Sequence, residues 1–193
     1  MKGPGILITI LLTGIWCIPH AYAGPSHSML GDACAGCHGT SGLSASPMPI
    51  IAGLPREYLR QTLLDYRSNK RPSTIMGRIA RGYSEEEIDQ LADYFASQEW
   101  VSPPQQEALD EQLVSQGKKL HKRGCKTCHK DNGRFQDDET PRLAGQWRDY
   151  LKIVFEEYWR PERRMPHLFM SVAVSELEMK ELEALAHFYA SQR

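Results

Sequence analysis

Cys34-Ala35-Gly36-Cys37-His38 is a pair of cysteines two residues apart, closed at once by histidine, and it returns later as Cys125-Lys126-Thr127-Cys128-His129 at an offset of 125 − 34 = 91. Two further landmarks return in the same order. Ile51-Ala52-Gly53, followed by Tyr58-Leu59, is matched by Leu143-Ala144-Gly145, followed by Tyr150-Leu151, at 145 − 53 = 92. Tyr94-Phe95-Ala96-Ser97-Gln98 is matched by Phe188-Tyr189-Ala190-Ser191-Gln192, at 188 − 94 = 94. A drift of only 94 − 91 = 3 residues over three ordered landmarks marks a tandem duplication. The stretch from Trp100 to Gln106, with Pro103-Pro104 inside it, reads as the linker. The expected division is residues 1–23 as a leader, 24–102 as the first unit and 107–193 as the second.

Neither unit alternates apolar and polar residues as strands do, so the expected fold class is all-α. Helices are expected to carry the cysteine motifs over Gly31 to His38 and Gly117 to His129, and a third over Tyr58 to Asn69. The closing helix of the first unit should start at a capping box, Ser84 with Glu87, and bury Ile88, Leu91, Ala92 and Phe95 on one face. Leu182, Leu185, Ala186 and Tyr189 hold the equivalent positions in the second unit, where the expected cap is Ser175 with Glu178.

The pentapeptide C-x-x-C-H is the attachment signal of a c-type haem. On a helix, residues three apart share a face, so Cys34 and Cys37 can both reach the vinyl groups of one haem edge. The next residue then turns toward the iron, which makes His38 and His129 the expected proximal ligands and Cys125 and Cys128 the second attachment pair. A thioredoxin-like redox pair would need an α/β setting and gives no reason for the histidine. A zinc ribbon would set its two pairs about 15 to 20 residues apart, whereas Cys37 and Cys125 are 125 − 37 = 88 apart. Two covalently bound haem c groups are therefore expected.

A sixth ligand decides between electron transfer and small-molecule binding, and a methionine there raises the reduction potential. Met29 precedes the first motif and Met48 follows His38 closely; Met76 is the better placed, after the Tyr58 to Asn69 helix and before the closing one. The second unit offers Met165 and Met170. The repeat favours Met170, since 94 − 76 = 18 and 188 − 170 = 18, against 188 − 165 = 23. Trp147, Tyr150 and Tyr58 either wall the haems, hydrogen-bond their propionates or form ordinary aromatic core. The Arg160-Pro161-Glu162-Arg163-Arg164 run either neutralises propionates, docks a partner or is a solvated loop.

The chain starts with Lys2, an apolar run from Ile6 to Cys17 and Ala21-Tyr22-Ala23, the pattern of a cleavable export signal. About a dozen apolar residues fall short of the roughly 20 that span a bilayer, and Trp16 before Cys17 argues against lipidation. Without Lys2 the balance is 22 − 24 = −2, so no basic excess points to nucleic acid. No second apolar stretch points to a membrane span. The expected location is the periplasm.

The duplicated units with their Ala-Gly and Tyr-Leu landmarks resemble dihaem cytochromes of the c4 type. More narrowly, Ser73-Thr74-Ile75-Met76-Gly77-Arg78-Ile79-Ala80-Arg81-Gly82-Tyr83-Ser84 and Leu143-Ala144-Gly145-Gln146-Trp147 resemble the cytochrome subunit of flavocytochrome c sulfide dehydrogenase. That resemblance implies two tandem cytochrome c-like domains with one covalent haem each and a methionine distal ligand, carried over onto Met76. The segment around Met170 departs from the family's pattern. It also implies a partner, an FAD-containing flavoprotein subunit that oxidises sulfide, and a soluble electron acceptor such as another cytochrome. No G-x-G-x-x-G fingerprint occurs in this chain, so the sulfide chemistry belongs to another polypeptide and no catalytic residues are assigned here. The alternatives are a free-standing c4-like carrier to a terminal oxidase and, in another class, a dihaem peroxidase with an open sixth position.

Overall fold

Ile88, Leu91, Ala92 and Phe95 recur at the spacing of one helical face, and in the computed structural model all four are buried. The structure describes residues 27–45, 47–103, 108–160 and 168–193. Every regular element among these is helical. The expected leader lies outside them.

The first half begins with α1 (His27–Asp32) and α2 (Ala35–His38), a short break apart. A 3-10 turn over Thr40–Gly42 follows. Next come α3 (Arg56–Arg67), α4 (Met76–Ala80) and α5 (Glu85–Ala96). The α5 cap is the expected one: Ser84 accepts from the Glu87 backbone and Glu87 accepts from that of Ser84. Helix α3 starts at Arg56, 58 − 56 = 2 residues before the expected Tyr58, and Arg56 and Arg60 reach Asp93 and Asp89 of α5, each at 2.6 Å. Leu30, Leu54, Leu59, Leu91 and Phe95 form the core beneath these helices.

The second half runs α6 (Glu111–Leu120), α7 (Lys130–Gly133), α8 (Arg148–Trp159), α9 (Leu168–Ser175) and α10 (Met179–Ser191). Its core joins Leu120, Leu151, Phe155, Leu182, Leu185, Phe188 and Tyr189. The helix expected over Gly117 to His129 is not continuous. After Leu120 it widens into a π-turn over His121–Cys125, closed by the Lys126 N–H donating to the His121 carbonyl at 3.0 Å, with the buried His121 ring 3.0 Å from the Tyr189 hydroxyl. The cap of α10 also differs from expectation. Ser175 ends α9 and bonds back to the Val172 carbonyl, so the capping box is Glu178 with Glu181.

The Ala-Gly landmark has a structural cause. Gly53 and Gly145 both have left-handed φ, +65° and +77°, and donate to the carbonyls of Phe95 and Tyr189 at 2.8 and 2.9 Å. A β-carbon on Gly53 would stand 2.9 Å from the Gln98 carbonyl oxygen, and one on Gly145 would stand 2.0 Å from Ser102 Oγ. Each turn thus seals the end of its closing helix, and only glycine fits.

The two halves meet through a third apolar cluster, Ile50, Ala52 and Trp147, with Trp100 and Tyr150 against it. Gln146 pairs with both backbone groups of Ile50, accepting from its N–H and donating to its carbonyl, each at 3.0 Å. The Trp147 indole donates to Ser44 Oγ at 3.0 Å. Trp100, expected in the linker, is instead packed into this seam, with the Arg142 guanidinium 5.1 Å above its ring.

Candidate functional site

Both pentapeptides close as a single helical turn. His38 N–H donates to the Cys34 carbonyl and His129 N–H to that of Cys125, each at 2.9 Å. This holds even where regular helix has ended, so the spacing of two thiols and one imidazole is kept in both halves. Cys34 and Cys125 are half-buried, Cys37 and Cys128 exposed, and none of the four is in a disulfide. Burial pushes the thiols of Cys34 and Cys125 up, with the neighbouring Cys37 and Cys128 adding to the rise. Such thiols lack the lowered pKa of a redox-active C-x-x-C pair. Among the described residues no three His, Cys, Asp or Glu side chains converge as a metal cluster, so the two cysteine pairs do not combine.

His38 is buried and His129 half-buried, and both are neutral. His38 Nδ1–H donates to the Pro49 carbonyl at 2.9 Å, and a carbonyl can only accept, so the proton is on Nδ1 and the Nε2 lone pair is free for a metal. Burial lowers the pKa of His38, and it lowers that of His129 to about 4 with help from His121. The His129 Nδ1 is buried with no partner among the described residues. Two desolvated imidazoles, each following a pair of thiols of which one is half-buried and one exposed, are the donor set a covalent haem requires.

Met76 is the first residue of α4 and Met170 the third of α9; both are half-buried. Helix α9 packs against α8 and against the π-turn that ends at Cys125. Met165 and the run from Pro161 to Arg164 lie outside the described residues; Arg160 caps α8 and pairs with Glu156 at 3.5 Å. Met29 and Met48 are exposed. Trp147 belongs to the seam between the halves.

One residue escaped sequence reasoning. Arg71 is buried between the halves, its guanidinium donating to Thr62 Oγ1 at 3.3 Å and to the Tyr150 hydroxyl at 3.0 Å. Its Nε has no partner among the described residues. In sequence it is one of many arginines; the only available signal was that Arg163 stands 163 − 71 = 92 residues on, at the same place in the repeat.

Residues 27–99 match the Cytochrome c family. Over 69 residues the chain is 48% identical to the cytochrome subunit of sulfide dehydrogenase from Chlorobaculum tepidum, a match covering 36% of this chain and 63% of that subunit. It is 30% identical to cytochrome c4 of Azotobacter vinelandii over 94% of this chain and 96% of that one. The crystal structure of reduced recombinant cytochrome c4 from Pseudomonas stutzeri superposes with a TM-score of 0.74 and 26% identity, covering 89% of this chain and all of that one. With two motif-bearing helical halves in the same arrangement, the chain belongs to the cytochrome c4 family of electron-transfer proteins and carries two covalently bound haem c groups.

Proposed function

We propose that this chain is the electron-accepting subunit of a periplasmic flavocytochrome c sulfide dehydrogenase. The observation that carries the reading is the 48% identity with the Chlorobaculum subunit. It runs over 69 residues, whereas the identity with cytochrome c4 over nearly the full length is 30%. Residues 1–23 serve as the export signal, and 24–102 and 107–193 are the two haem domains. Cys34 with Cys37, and Cys125 with Cys128, hold the haems through thioethers. His38 and His129 are the proximal ligands; Met76 and Met170 are the distal ones, with Met165 the alternative to Met170.

When bound, each haem supplies a one-electron couple. The chain's own work is to hold that couple rigidly and dry. The Pro49 carbonyl orients His38. Apolar cores under both motifs exclude water, and a distal thioether favours the reduced state. Sulfide oxidation occurs on an FAD-containing partner, and a soluble acceptor such as another cytochrome removes the electrons.

Purification from the native periplasm tests the reading, with haem and flavin quantified in the same fractions. A stoichiometric flavoprotein that reduces both haems on addition of sulfide is the expected result. A haem-only protein would establish the second reading, a free-standing carrier, which the near full-length likeness to cytochrome c4 supports. A high-spin haem in the resting spectrum would instead favour a peroxidase-like dihaem enzyme.

A further inference from the structure

His121 is 3% exposed and Tyr189 1%, and the imidazole Nδ1 lies 3.0 Å from the phenol oxygen. The repeat supplies its own comparison for this pair. At the motif offset, 121 − 91 = 30, the first half has Leu30; at the closing-helix offset, 189 − 94 = 95, it has Phe95. Both are buried in the first core. The fold therefore fills these two positions with leucine and phenylalanine, and packing does not require a polar pair. Burying an imidazole and a phenol costs free energy unless both are hydrogen-bonded.

The pair touches the attachment motif. His121 opens the π-turn that ends at Cys125, Cys125 packs on the core that contains Tyr189, and the phenol ring stands edge-on to His129 at 6.3 Å. Burial first, and Cys125 next, hold the Tyr189 pKa well above its usual range, while a hydrogen bond from Tyr189 works against the burial that raises Cys125. A phenol that donates and a sulfur that accepts move the two groups in those opposite directions. Cys34 has no such donor among the described residues: its thiol donates to the Leu30 carbonyl at 4.0 Å, and Tyr83 acts on it through charge rather than a hydrogen bond. A thioether sulfur carries no proton and can only accept. With its one proton on that sulfur, the Tyr189 oxygen accepts from His121 Nδ1–H.

We propose that His121 and Tyr189 form a hydrogen-bond chain, Nδ1–H to phenol oxygen and O–H to the Cys125 sulfur, that raises the reduction potential of the second haem and not of the first. Both are positioning residues. Donation to the sulfur draws electron density from one haem edge and favours reduced iron there. The inference rests on thioether attachment at Cys125, not on the identity of the partner enzyme.

The test uses the full holoprotein, with attachment at Cys125 checked by mass spectrometry of its peptide and both midpoints measured by spectroelectrochemistry. Tyr189→Phe, the residue type the first half carries there, should lower one midpoint by about threefold in the reduction equilibrium, about 28 mV at 59 mV per decade, and leave the other unchanged. His121→Leu should lower the same midpoint by less. His121→Gln, whose amide N–H still donates to the phenol, should restore it. In the wild-type resonance Raman spectrum a carbon–sulfur stretch should shift after full exchange into deuterium oxide, a readout that needs no variant, and Tyr189→Phe should abolish the shift. Unchanged midpoints in Tyr189→Phe, an equal fall of both, or a carbon–sulfur stretch blind to deuterium overturns the proposal. A Cys125 peptide without haem would instead refute the attachment itself.

Discussion

Met76 and Met170 stand at equal distances from repeat-related aromatic positions, 94 − 76 and 188 − 170, both 18. Their local settings nevertheless differ: Met76 opens a five-residue helix, while Met170 lies inside an eight-residue one. Replacing either by alanine should remove the methionine–sulfur charge-transfer band of one haem and leave the other, as read in the near-infrared spectrum. The midpoint of the altered haem should fall by on the order of 0.1 V, within the roughly 0.8 V that axial ligands command. A band that survives Met170→Ala and disappears in Met165→Ala would reassign the second ligand.

Among the elements, the packing of α10 on α6 depends on Gly117. A β-carbon there would stand 2.1 Å from the Ala184 carbonyl oxygen and 2.6 Å from Phe188 Cβ. Gly117→Ala must push the helices apart and should cost about 1–3 kcal/mol in denaturant unfolding, despite alanine's better helix propensity. The same contact is acid-sensitive. Asp110 N–H, at the start of α6, donates to His187 Nδ1 at 3.1 Å, which requires a neutral ring. Burial, with Arg148 second, holds the His187 pKa below its ordinary value, against a pull from Glu183 and Asp110. The unfolded chain therefore takes up a proton near pH 6.5 that the folded one refuses. This contribution is whole above about pH 6.5 and is lost as pH falls through the lowered folded value. Melting temperatures should drop between about pH 7 and pH 5, and His187→Gln should flatten that slope. Some slope remains, since burial also lowers the pKa of His121.

For the whole molecule, the joint between the halves is a small polar lock in an apolar seam. Gln146 satisfies the N–H and carbonyl of Ile50, both buried. Gln146→Ala leaves those two groups unpaired at about 1–3 kcal/mol each. The expected result in calorimetry is that one unfolding transition separates into two, one for each half. Trp147→Phe, which loses the indole bond to Ser44 and part of the ring's packing but keeps the Gln146 lock, should lower the melting temperature without splitting the transition.

The duplication, the all-helical class, the pentapeptides and the buried stripe of α5 were all legible in the sequence. Each is carried by residues within a turn or two of one another, or by a repeat that needs no geometry to detect. Ser84 and Glu87 spell a cap because its hydrogen bonds are local. The cap of α10 falls on Glu178 rather than the expected Ser175 because the choice turns on where α9 ends, and α9 packs against α8 and the π-turn. Arg71 with Tyr150, 79 residues apart, and Gln146 with Ile50, 96 apart, have no local signature at all. Their meaning comes from burial, and burial is decided only when the two halves close on each other and remove water from groups that sequence periodicity leaves looking like ordinary surface.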